Sequence, residues 1–393
     1  MAIKKEIAMH DLHVHLYGCV TPLMIWNKLR DLKKLESDER EFILQRIIWF
    51  ENEFNQTFKK SSEISNALNS DTPLLVENIY CVTKPSTFHE FQTRFNLAIA
   101  AFPILYAKST VLTEVLKLYS TDDACEFRIF LAPYLGKIQL DEYLQKIFSD
   151  LTQYPSCFKL AFSLQRNLLD FTTQMDYLDT YFSNNPTHKA YLTGIDLSGY
   201  ENLQNFADLK IMQKKVEKFG RSFPQKISLL LHLGETWNGL CPELKLQEIY
   251  EITDLTHTRL GHASIVGVDS KVILKSNILD LPERTLVGDC EKFTALADRS
   301  ERIFELQNLI LQKLKSQKTL IESCPTSNLY LGELTEISEL PIFRFLQHDL
   351  NVVVATDDPG IFKTDLNHEF SLLNLPVETV DRLRKRAHDI FNI

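Results

Sequence analysis

Residues that could bind a metal or move a proton stand at the ends of short apolar segments of this sequence. They are His13, His15, His232, Glu235, His262, Asp357 and Asp358. In "MHDLHVHLYGCV" (residues 9–20), the spacing of two points His13 and His15 to the same face of a strand. Two imidazoles on one face are difficult to bury without a common partner. Three imidazoles and one carboxylate that leave room for a water are typical of a hydrolytic zinc centre.

Each of these residues also has a purely structural interpretation when it is taken alone. A single histidine in an apolar strand is more often a core residue whose nitrogens are satisfied. The aspartates of "TDDP" suit the start of a helix, Glu235 could cap a helix, and Gly199 could simply form a turn. Their joint placement at the carboxyl ends of predicted strands favours one shared site.

Eight short, apolar, β-branched segments alternate with longer helical patterns along the chain. They cover residues 9–16, 125–133, 157–164, 191–199, 226–235, 258–263, 319–325 and 352–358. Such alternation is typical of a parallel sheet with covering helices, and eight units predict an α/β fold of the (β/α)8 TIM barrel type. We therefore expect residues 1–393 to form a single barrel domain.

Two segments are longer than a single barrel helix requires. Residues 21 to about 120 contain several helical patterns, and residues 264 to about 318 separate the sixth and seventh strands. Both are connections from a strand to a helix, so both are predicted to emerge at the catalytic face. They are interpreted as lids, walls or contact surfaces, and the second as a candidate for substrate selection, oligomer contact or an inert excursion.

Composition and charge exclude several classes of protein. Of the 393 residues, 44% are hydrophobic and 24% charged, and the net charge of −9 argues against a nucleic acid polymer as partner. The seven cysteines include no Cys-x-x-Cys pair, which favours a reducing compartment. The sequence shows neither a signal peptide nor a membrane span, so a cytoplasmic protein without a membrane partner is expected. The sequence leaves homo-oligomer formation open.

Six motifs in the chain resemble those of the adenosine deaminase family, within the metal-dependent amidohydrolase superfamily. They are "HVHLYG", "DLSGYE", "HLGE", "RLGHA", "CPTSN" and "TDDPGIF", and they extend from about residue 10 to about residue 370. The resemblance implies a hydrolase that deaminates a 6-aminopurine nucleoside, adenosine or 2′-deoxyadenosine, to the inosine product and ammonia. It also implies one Zn²⁺ per chain and a small-molecule purine nucleoside or nucleotide as the partner.

The same resemblance implies a role for each site residue. The metal ligands would be His13, His15, His232 and Asp357. Glu235 would donate a proton to the purine ring nitrogen next to the reacting carbon, and His262 would orient the attacking hydroxide. Asp357 would also accept the proton of the water. The backbone amide of Gly199 and the carboxyl group of Asp358 would hold the other ring nitrogens.

General chemistry supports these roles independently. Attack at the amino-bearing carbon pushes electrons onto the ring nitrogen, so a nearby acid must supply a proton there. Glu235 can do this only in its neutral form, which burial favours. A glycine at position 199 lets the backbone approach a flat ring closely. The H-x-E and P-C-x-x-C patterns of cytidine-type deaminases do not occur in the sequence.

Tyr17 departs from the pattern of the family. Adenosine deaminases commonly carry an aspartate here, which binds the ribose 5′-hydroxyl, and adenine-specific relatives tend to have glutamate. An aspartate would repel a 5′-phosphate by about 1–4 kcal/mol, whereas tyrosine removes this repulsion and keeps a donor hydroxyl. Tyr17 is therefore a candidate substrate contact. Deamination of AMP, dAMP or N6-substituted AMP is one alternative function, and an inactive deaminase-like binding protein is a second.

Overall fold

The eight predicted strands are present and form one parallel sheet. The computed structural model describes residues 9–392, apart from 32–36, 60–71, 109–110, 120–123, 132–136, 155–156, 202–205, 256–257, 277–285 and 333. The strands are β1 (His10–His15), β2 (Ala124–Phe130), β3 (Phe158–Leu164), β4 (Leu192–Leu197), β5 (Ser228–Leu233), β6 (Thr258–His262), β7 (Leu320–Ser323) and β8 (Asn351–Val354). Each strand pairs with the next one in the chain, in the order β1 to β8.

The first and last strands meet just beyond the end of β8. Val14 forms a parallel bridge with Asp357. The amide of His15 donates to the carbonyl of Asp357 at 2.8 Å, and the amide of Asp357 donates to the carbonyl of His13 at 2.9 Å. This contact brings the two ends of the sheet together, and the (β/α)8 barrel prediction is confirmed.

Several strands end before the polar residues that the sequence pattern included in them. The segment predicted at 191–199 ends at Leu197, and the segment predicted at 352–358 ends at Val354. The backbone explains both differences, because Gly199 has a φ of +86° and Asp357 a φ of +66°. Such left-handed conformations are incompatible with an extended strand. Gly199 and Asp357 therefore lie in turns beyond the ends of their strands, at the top of the barrel.

The predicted helical insertion after β1 is present in the described residues. Between β1 and β2 lie α1 (Pro22–Asp31), α2 (Ser37–Phe58), α3 (Leu74–Tyr80), α4 (Phe88–Lys108) and α5 (Val111–Tyr119). Helix α4 begins at a reciprocal cap. The Thr87 hydroxyl accepts from the amide of Glu90 at 3.2 Å, and the Glu90 carboxylate accepts from the amide of Thr87 at 3.0 Å. This cap helps to define where α4 starts above the barrel.

The remaining helices follow the other strands. They are α6 (Lys137–Leu151), α7 (Leu168–Asn184), α8 (Phe206–Gly220), α9 (Pro242–Ile252), α10 (Ser264–Gly267), α11 (Ser270–Ile273), α12 (Arg299–Gln317), α13 (Pro325–Leu331), α14 (Pro341–Gln347), α15 (Pro359–Phe362), α16 (Leu366–Leu373) and α17 (Val377–Phe391). Short 3₁₀ helices cover Tyr17–Cys19, Pro186–Tyr191, Gly288–Ala295 and Ile337–Glu339. The predicted 264–318 connection contains α10, α11 and α12, and its residues 277–285 lie outside the described part of the chain. No helix of the described residues is long and apolar enough to cross a lipid bilayer.

Charged side chains occupy the barrel interior beneath the top of the strands. Arg259 of β6 donates to Glu322 of β7 at 2.6 Å and to Glu126 of β2 at 2.9 Å. Arg128 of β2 donates to the other oxygen of Glu322. All four are buried. Unpaired charges would be strongly destabilising there, so this network favours one register of the three strands.

A second buried carboxyl group lies under the turn that follows β7. Glu369 of α16 accepts hydrogen bonds from the amide of Thr326 at 2.9 Å and from the hydroxyl of Thr364 at 2.5 Å. Burial raises the pKa of Glu369 from 4.5 to about 7. The folded chain therefore binds this proton more tightly than the unfolded chain does. The contribution of Glu369 to stability is present at low pH and is lost as the pH rises through this range.

We expect Glu369→Gln to remove this loss, because the amide mimics the neutral acid. Relative to the wild type, the free energy of unfolding of the variant should increase by about 2 kcal/mol between pH 5 and pH 8. Urea unfolding at the two pH values measures the difference. Identical pH dependences of the two proteins would show that Glu369 keeps an ordinary pKa in the fold.

Candidate metal centre and active site

Four predicted ligands come together at the top of the barrel. His13 and His15 end β1, His232 ends β5 and Asp357 follows β8, and one ligand atom of each lies within 4.8 Å of the others. The Nε2 atom of His232 lies 3.0 Å from the Nε2 atoms of both His13 and His15. The Oδ1 atom of Asp357 lies 3.5 Å from His13 Nε2 and 3.4 Å from His15 Nε2. All four residues are buried.

The surroundings of these imidazoles fit a bound cation. Oδ1 of Asp196 lies 3.0 Å from His232 Nδ1, and Oε2 of Glu322 lies 3.1 Å from His13 Nδ1. The Asp196 acceptor places the proton of His232 on Nδ1 and leaves a lone pair on its Nε2 atom. This lone pair lies 3.0 Å from the Nε2 atoms of His13 and His15, an arrangement that a bound cation would stabilise. The donor set suits zinc.

The electrostatics of the cluster agree with this assignment. Burial lowers the pKa of His13 and His15 well below the usual value, so both imidazoles are neutral and able to ligate a metal. Burial would raise the pKa of Asp196, but the neighbouring His232 and Arg128 lower it below the usual range. Asp196 therefore stays ionised beside the His232 ring.

Replacement of Asp196 by asparagine is expected to weaken metal binding. The side-chain amide can donate as well as accept, so the variant no longer enforces the His232 tautomer. We expect a loss of metal affinity of about 10- to 100-fold, measured by competition with a chelator. Ser163→Ala is the matched control, because Ser163 donates to the same carboxylate at 2.7 Å but leaves its charge intact. Equal metal affinity in the wild type and both variants would contradict the role of Asp196.

Glu235 lies beside the metal ligands on a turn held by a second glutamate. The carboxylate of Glu201 accepts from the amides of Gly234 at 2.8 Å and Glu235 at 2.9 Å, and Lys245 pairs with it at 2.7 Å. The side chain of Glu235 is buried. Burial, followed by the charges of Asp357 and Glu201, raises the pKa of Glu235 well above its usual value. This environment favours the protonated form of Glu235.

His262 faces Glu235 from the end of β6. Its Nε2 atom lies 3.7 Å from Glu235 Oε1, and its backbone has a φ of +63°. The side-chain nitrogen of Asn328 (Nδ2) lies 3.0 Å from His262 Nδ1. The side-chain oxygen of Asn328 accepts from the backbone amide of Cys324 at 3.3 Å. This pairing orients the Asn328 amide to donate, so the neutral imidazole carries its proton on Nε2, towards Glu235.

A pocket opens beside these residues at the carboxyl ends of the strands. It is lined by His15, Phe88, Phe91, Gln92, Phe95, Phe130, Ser198, Gly199, His232, Glu235, Asp357 and Asp358. Four phenylalanines form its aromatic wall, and the rest of the lining includes metal ligands and carboxyl groups. A flat apolar ring with polar edges matches this division.

Gly199 and Asp358, both predicted to contact the substrate, lie on this pocket. A Cβ atom at Gly199 would meet no atom within 4 Å, so its positive φ rather than crowding accounts for the glycine. Asp358 packs against Gly18, where a Cβ atom would come within 1.8 Å of Asp358 Oδ1. Burial and the charge of Asp357 raise the pKa of Asp358 well above its usual value. This environment favours the neutral carboxyl group of Asp358, which can donate a hydrogen bond.

Tyr17, the remaining predicted contact, is not among the described residues that line the pocket. Its side chain is fully buried, and its hydroxyl lies 3.2 Å from the carbonyl of Phe130 and 2.6 Å from the hydroxyl of Tyr143. The chain leaves the strand conformation after His15 and enters the 3₁₀ helix Tyr17–Cys19. The alternation that aligns His13 with His15 therefore does not extend to Tyr17.

Sequence reasoning missed the residues that support the ligands and the aromatic wall. Asp196, Glu322 and Arg128 are charged residues inside otherwise apolar strands, and that contrast is the signal that could have identified them. The phenylalanines of α4 follow a helical spacing that ordinary core packing also produces. Cys324, interpreted from the sequence as packing, is buried with its thiol close to the rings of His13 and His262.

The barrel, the metal-binding donor set and the buried acid together define a metal-dependent hydrolase of the amidohydrolase type. Comparison with known proteins is more specific, because the family model described as adenosine deaminase matches residues 66–382. The chain therefore belongs to the adenosine deaminase family, whose members hydrolyse C–N bonds. His13 and His15 lie before the matched range, and the barrel brings them to the other ligands.

Individual relatives agree with the family. The chain is 22% identical over 330 residues to an adenosine deaminase of Enterococcus faecalis, covering 81% of this chain and 82% of the relative. It is 31% identical over 121 residues to an adenine deaminase of Kluyveromyces lactis, but that match spans only 31% of either protein. A 38% identical match to an adenosine deaminase of Plasmodium gallinaceum spans 19% of this chain and 20% of the relative.

Solved structures share the fold at low sequence identity. The apo N6-methyl-AMP deaminase of Arabidopsis thaliana superposes with a TM-score of 0.56 at 16% identity, covering 98% of this chain and 96% of that one. An adenine deaminase of Arthrobacter aurescens gives a TM-score of 0.54 at 13% identity, covering 98% and 99%. The fold is therefore shared by deaminases named for different purine substrates.

Proposed function

We propose that the protein is a zinc-dependent deaminase of a 6-aminopurine nucleoside, adenosine or 2′-deoxyadenosine. The reaction consumes one water and yields the inosine product and ammonia. The observation that carries this proposal is that candidate metal ligands and a buried acid line one pocket. His15, His232 and Asp357 of the candidate ligand set line the same pocket as Glu235, so a metal and a proton donor can act on one substrate.

The cation would be held by His13, His15, His232 and Asp357. When bound, Zn²⁺ supplies Lewis-acid chemistry that lowers the pKa of water to about 7. The protein side chains then accept and donate the protons of the reaction. Asp357 takes one proton from the water, and His262, whose Nε2 carries a hydrogen, orients the attacking oxygen and stabilises its charge.

Glu235 provides the proton that the purine ring needs. As the oxygen adds to C6, electrons of the ring bond move to N1, and Glu235 protonates that atom. The exocyclic amine then takes the proton held by Asp357 and leaves as ammonia when the C6–N bond breaks. The proton of the new hydroxyl group returns to Glu235 as the C6 carbonyl forms. One water is consumed, and every protein group regains its starting state.

The polar edges of the purine would be held by Gly199 and Asp358. The turn at Gly199 presents its backbone amide to an acceptor nitrogen of the ring. Neutral Asp358 can donate to another ring nitrogen, because its raised pKa keeps the proton on the carboxyl group. These contacts would place C6 next to the metal ligands and N1 next to Glu235.

Deamination of AMP, dAMP or N6-substituted AMP is the second candidate function. It is supported by the tyrosine that occupies position 17 in place of an aspartate. The fold shared with the Arabidopsis N6-methyl-AMP deaminase also supports it. The buried Tyr17 hydroxyl is already engaged by Phe130 and Tyr143, which favours the nucleoside over the nucleotide.

A substrate panel tests the proposal. The zinc-loaded protein is assayed spectroscopically with adenosine, 2′-deoxyadenosine, AMP, dAMP, N6-methyl-AMP and adenine, and ammonia release is measured in parallel. We expect the highest kcat/KM for one of the two nucleosides. A higher kcat/KM for a monophosphate or for adenine would overturn the nucleoside assignment. Full zinc loading without turnover of any of them would favour a binding protein on a deaminase barrel.

A further inference from the structure

Two neutral polar side chains on the pocket have no role in the proposed chemistry. Ser198 lies at the end of β4, and Gln92 lies on α4 between phenylalanines that also line the pocket. The carboxyl groups and the Gly199 amide serve the base. Ser198 and Gln92 are therefore available for another part of the substrate.

The hydroxyl of Ser198 is buried without a protein partner. The residue is 7% exposed, and its Oγ atom has no hydrogen bond within the described part of the chain. A buried polar group left without a partner destabilises a protein by about 1–3 kcal/mol. Because this hydroxyl lines the pocket, a bound ligand can supply the missing partner.

The backbone of Ser198 is held from outside the pocket. Arg166 donates from Nε to the carbonyl of Ser198 at 3.2 Å and from Nη2 to the carbonyl of His232 at 2.8 Å. One guanidinium thus ties the end of β4 to the end of β5. The Ser198 hydroxyl is therefore presented from a rigid position next to a metal ligand, as recognition of a substrate group requires.

Gln92 is held in a similar way on the aromatic wall. Its amide nitrogen donates to Asn96 at 3.1 Å, and Asn96 donates to Glu53 of α2 at 3.0 Å. This chain of hydrogen bonds leaves the amide oxygen of Gln92 as an acceptor. The side chain of Gln92 is half-buried. It lines the pocket together with Phe88, Phe91 and Phe95 of the same helix.

The chemistry of this pair matches hydroxyl groups. A sugar hydroxyl both donates and accepts, so it can pair with the serine hydroxyl and with an amide oxygen. A phosphate only accepts and requires cations or several donors, and no lysine or arginine lines the described part of this pocket. We propose that Ser198 and Gln92 recognise ribose hydroxyls and thereby select a nucleoside over a free base or a nucleotide. This inference rests on the proposed deaminase function.

The test combines two variants with substrates that lack single hydroxyls. Ser198→Ala and Gln92→Leu are assayed with adenosine and with its 2′-deoxy, 3′-deoxy and 5′-deoxy analogues. We expect each variant to lower kcat/KM for adenosine by about 10-fold or more, because a buried partner is lost. The loss should disappear with the analogue that lacks the contacted hydroxyl. Ser323→Ala, a buried serine that does not line the pocket, should keep wild-type kcat/KM.

Each outcome decides the inference separately from the proposed function. Equal losses with adenosine and all three analogues, or no loss in either variant, would overturn the recognition of ribose. A wild-type preference for AMP over adenosine would overturn it as well. No turnover of any purine by the zinc-loaded wild type would instead refute the deaminase function. The wild type is therefore assayed before any variant is made.

Discussion

Glu235→Gln is expected to lower kcat by about 10³-fold while the protein keeps its metal and its ability to bind a purine, because general acid catalysis typically contributes 10²- to 10⁴-fold. Glutamine has nearly the same shape as neutral Glu235 but cannot release a proton to N1. The loss should therefore appear mainly in kcat, with little change in KM. Steady-state kinetics with adenosine and metal analysis of the same samples measure both quantities.

The control for this variant removes an ordinary carboxylate. Glu217→Gln makes the same substitution on the exposed face of α8 and should leave kcat and KM unchanged. Wild-type kcat in Glu235→Gln would show that another group protonates the ring. A loss of metal in this variant would show that Glu235 supports the ligands rather than the proton transfer.

His13→Ala is expected to abolish both tight metal binding and activity. The substitution removes one of four ligands and also leaves Glu322 without the imidazole 3.1 Å away. We expect metal affinity to fall by more than the roughly 10- to 100-fold loss that removal of an outer partner produces. Chelator competition measures the affinity. Thermal unfolding with and without zinc gives a second readout, because a ligand that binds only the folded state raises Tm.

His368→Ala is the matched control for the metal experiment, since His368 is an exposed histidine of α16. It should keep the affinity for zinc and the zinc-dependent increase in Tm. Full zinc occupancy in His13→Ala would contradict the assigned ligand set. The two large effects are distinguishable, because Glu235→Gln loses the chemical step alone whereas His13→Ala loses the cation first.

Burial makes the pocket chemically competent as well as apolar. The same removal from water lowers the pKa of His13 and His15 and raises the pKa of Glu235 and Asp358. Neutral imidazoles suit a cation, and neutral carboxyl groups suit proton donation to ring nitrogens. Exposed to water, Glu235 and Asp358 would have ordinary carboxyl pKa values and would be ionised at pH 7.

Much of the fold was predictable because its signals are local. Apolar β-branched runs define the eight strands, and the spacing of two puts His13 and His15 on one face. The motifs around His232, His262 and Asp357 were recognisable for the same reason. The positions where β4 and β8 end were not, since a positive φ at Gly199 or Asp357 depends on the turn that the surrounding barrel imposes.

The barrel class, the candidate ligands and the acid three residues after His232 could all be recognised from local patterns in the chain. Tertiary structure decided which residues share the pocket. Tyr17 turns into the core as the first residue of a 3₁₀ helix, while Ser198 reaches the pocket from the end of β4 and Gln92 from α4. The physical reason is that strand and helix patterns depend on near neighbours in the chain. A pocket depends on side chains that are distant in sequence, and only the closed sheet brings them together.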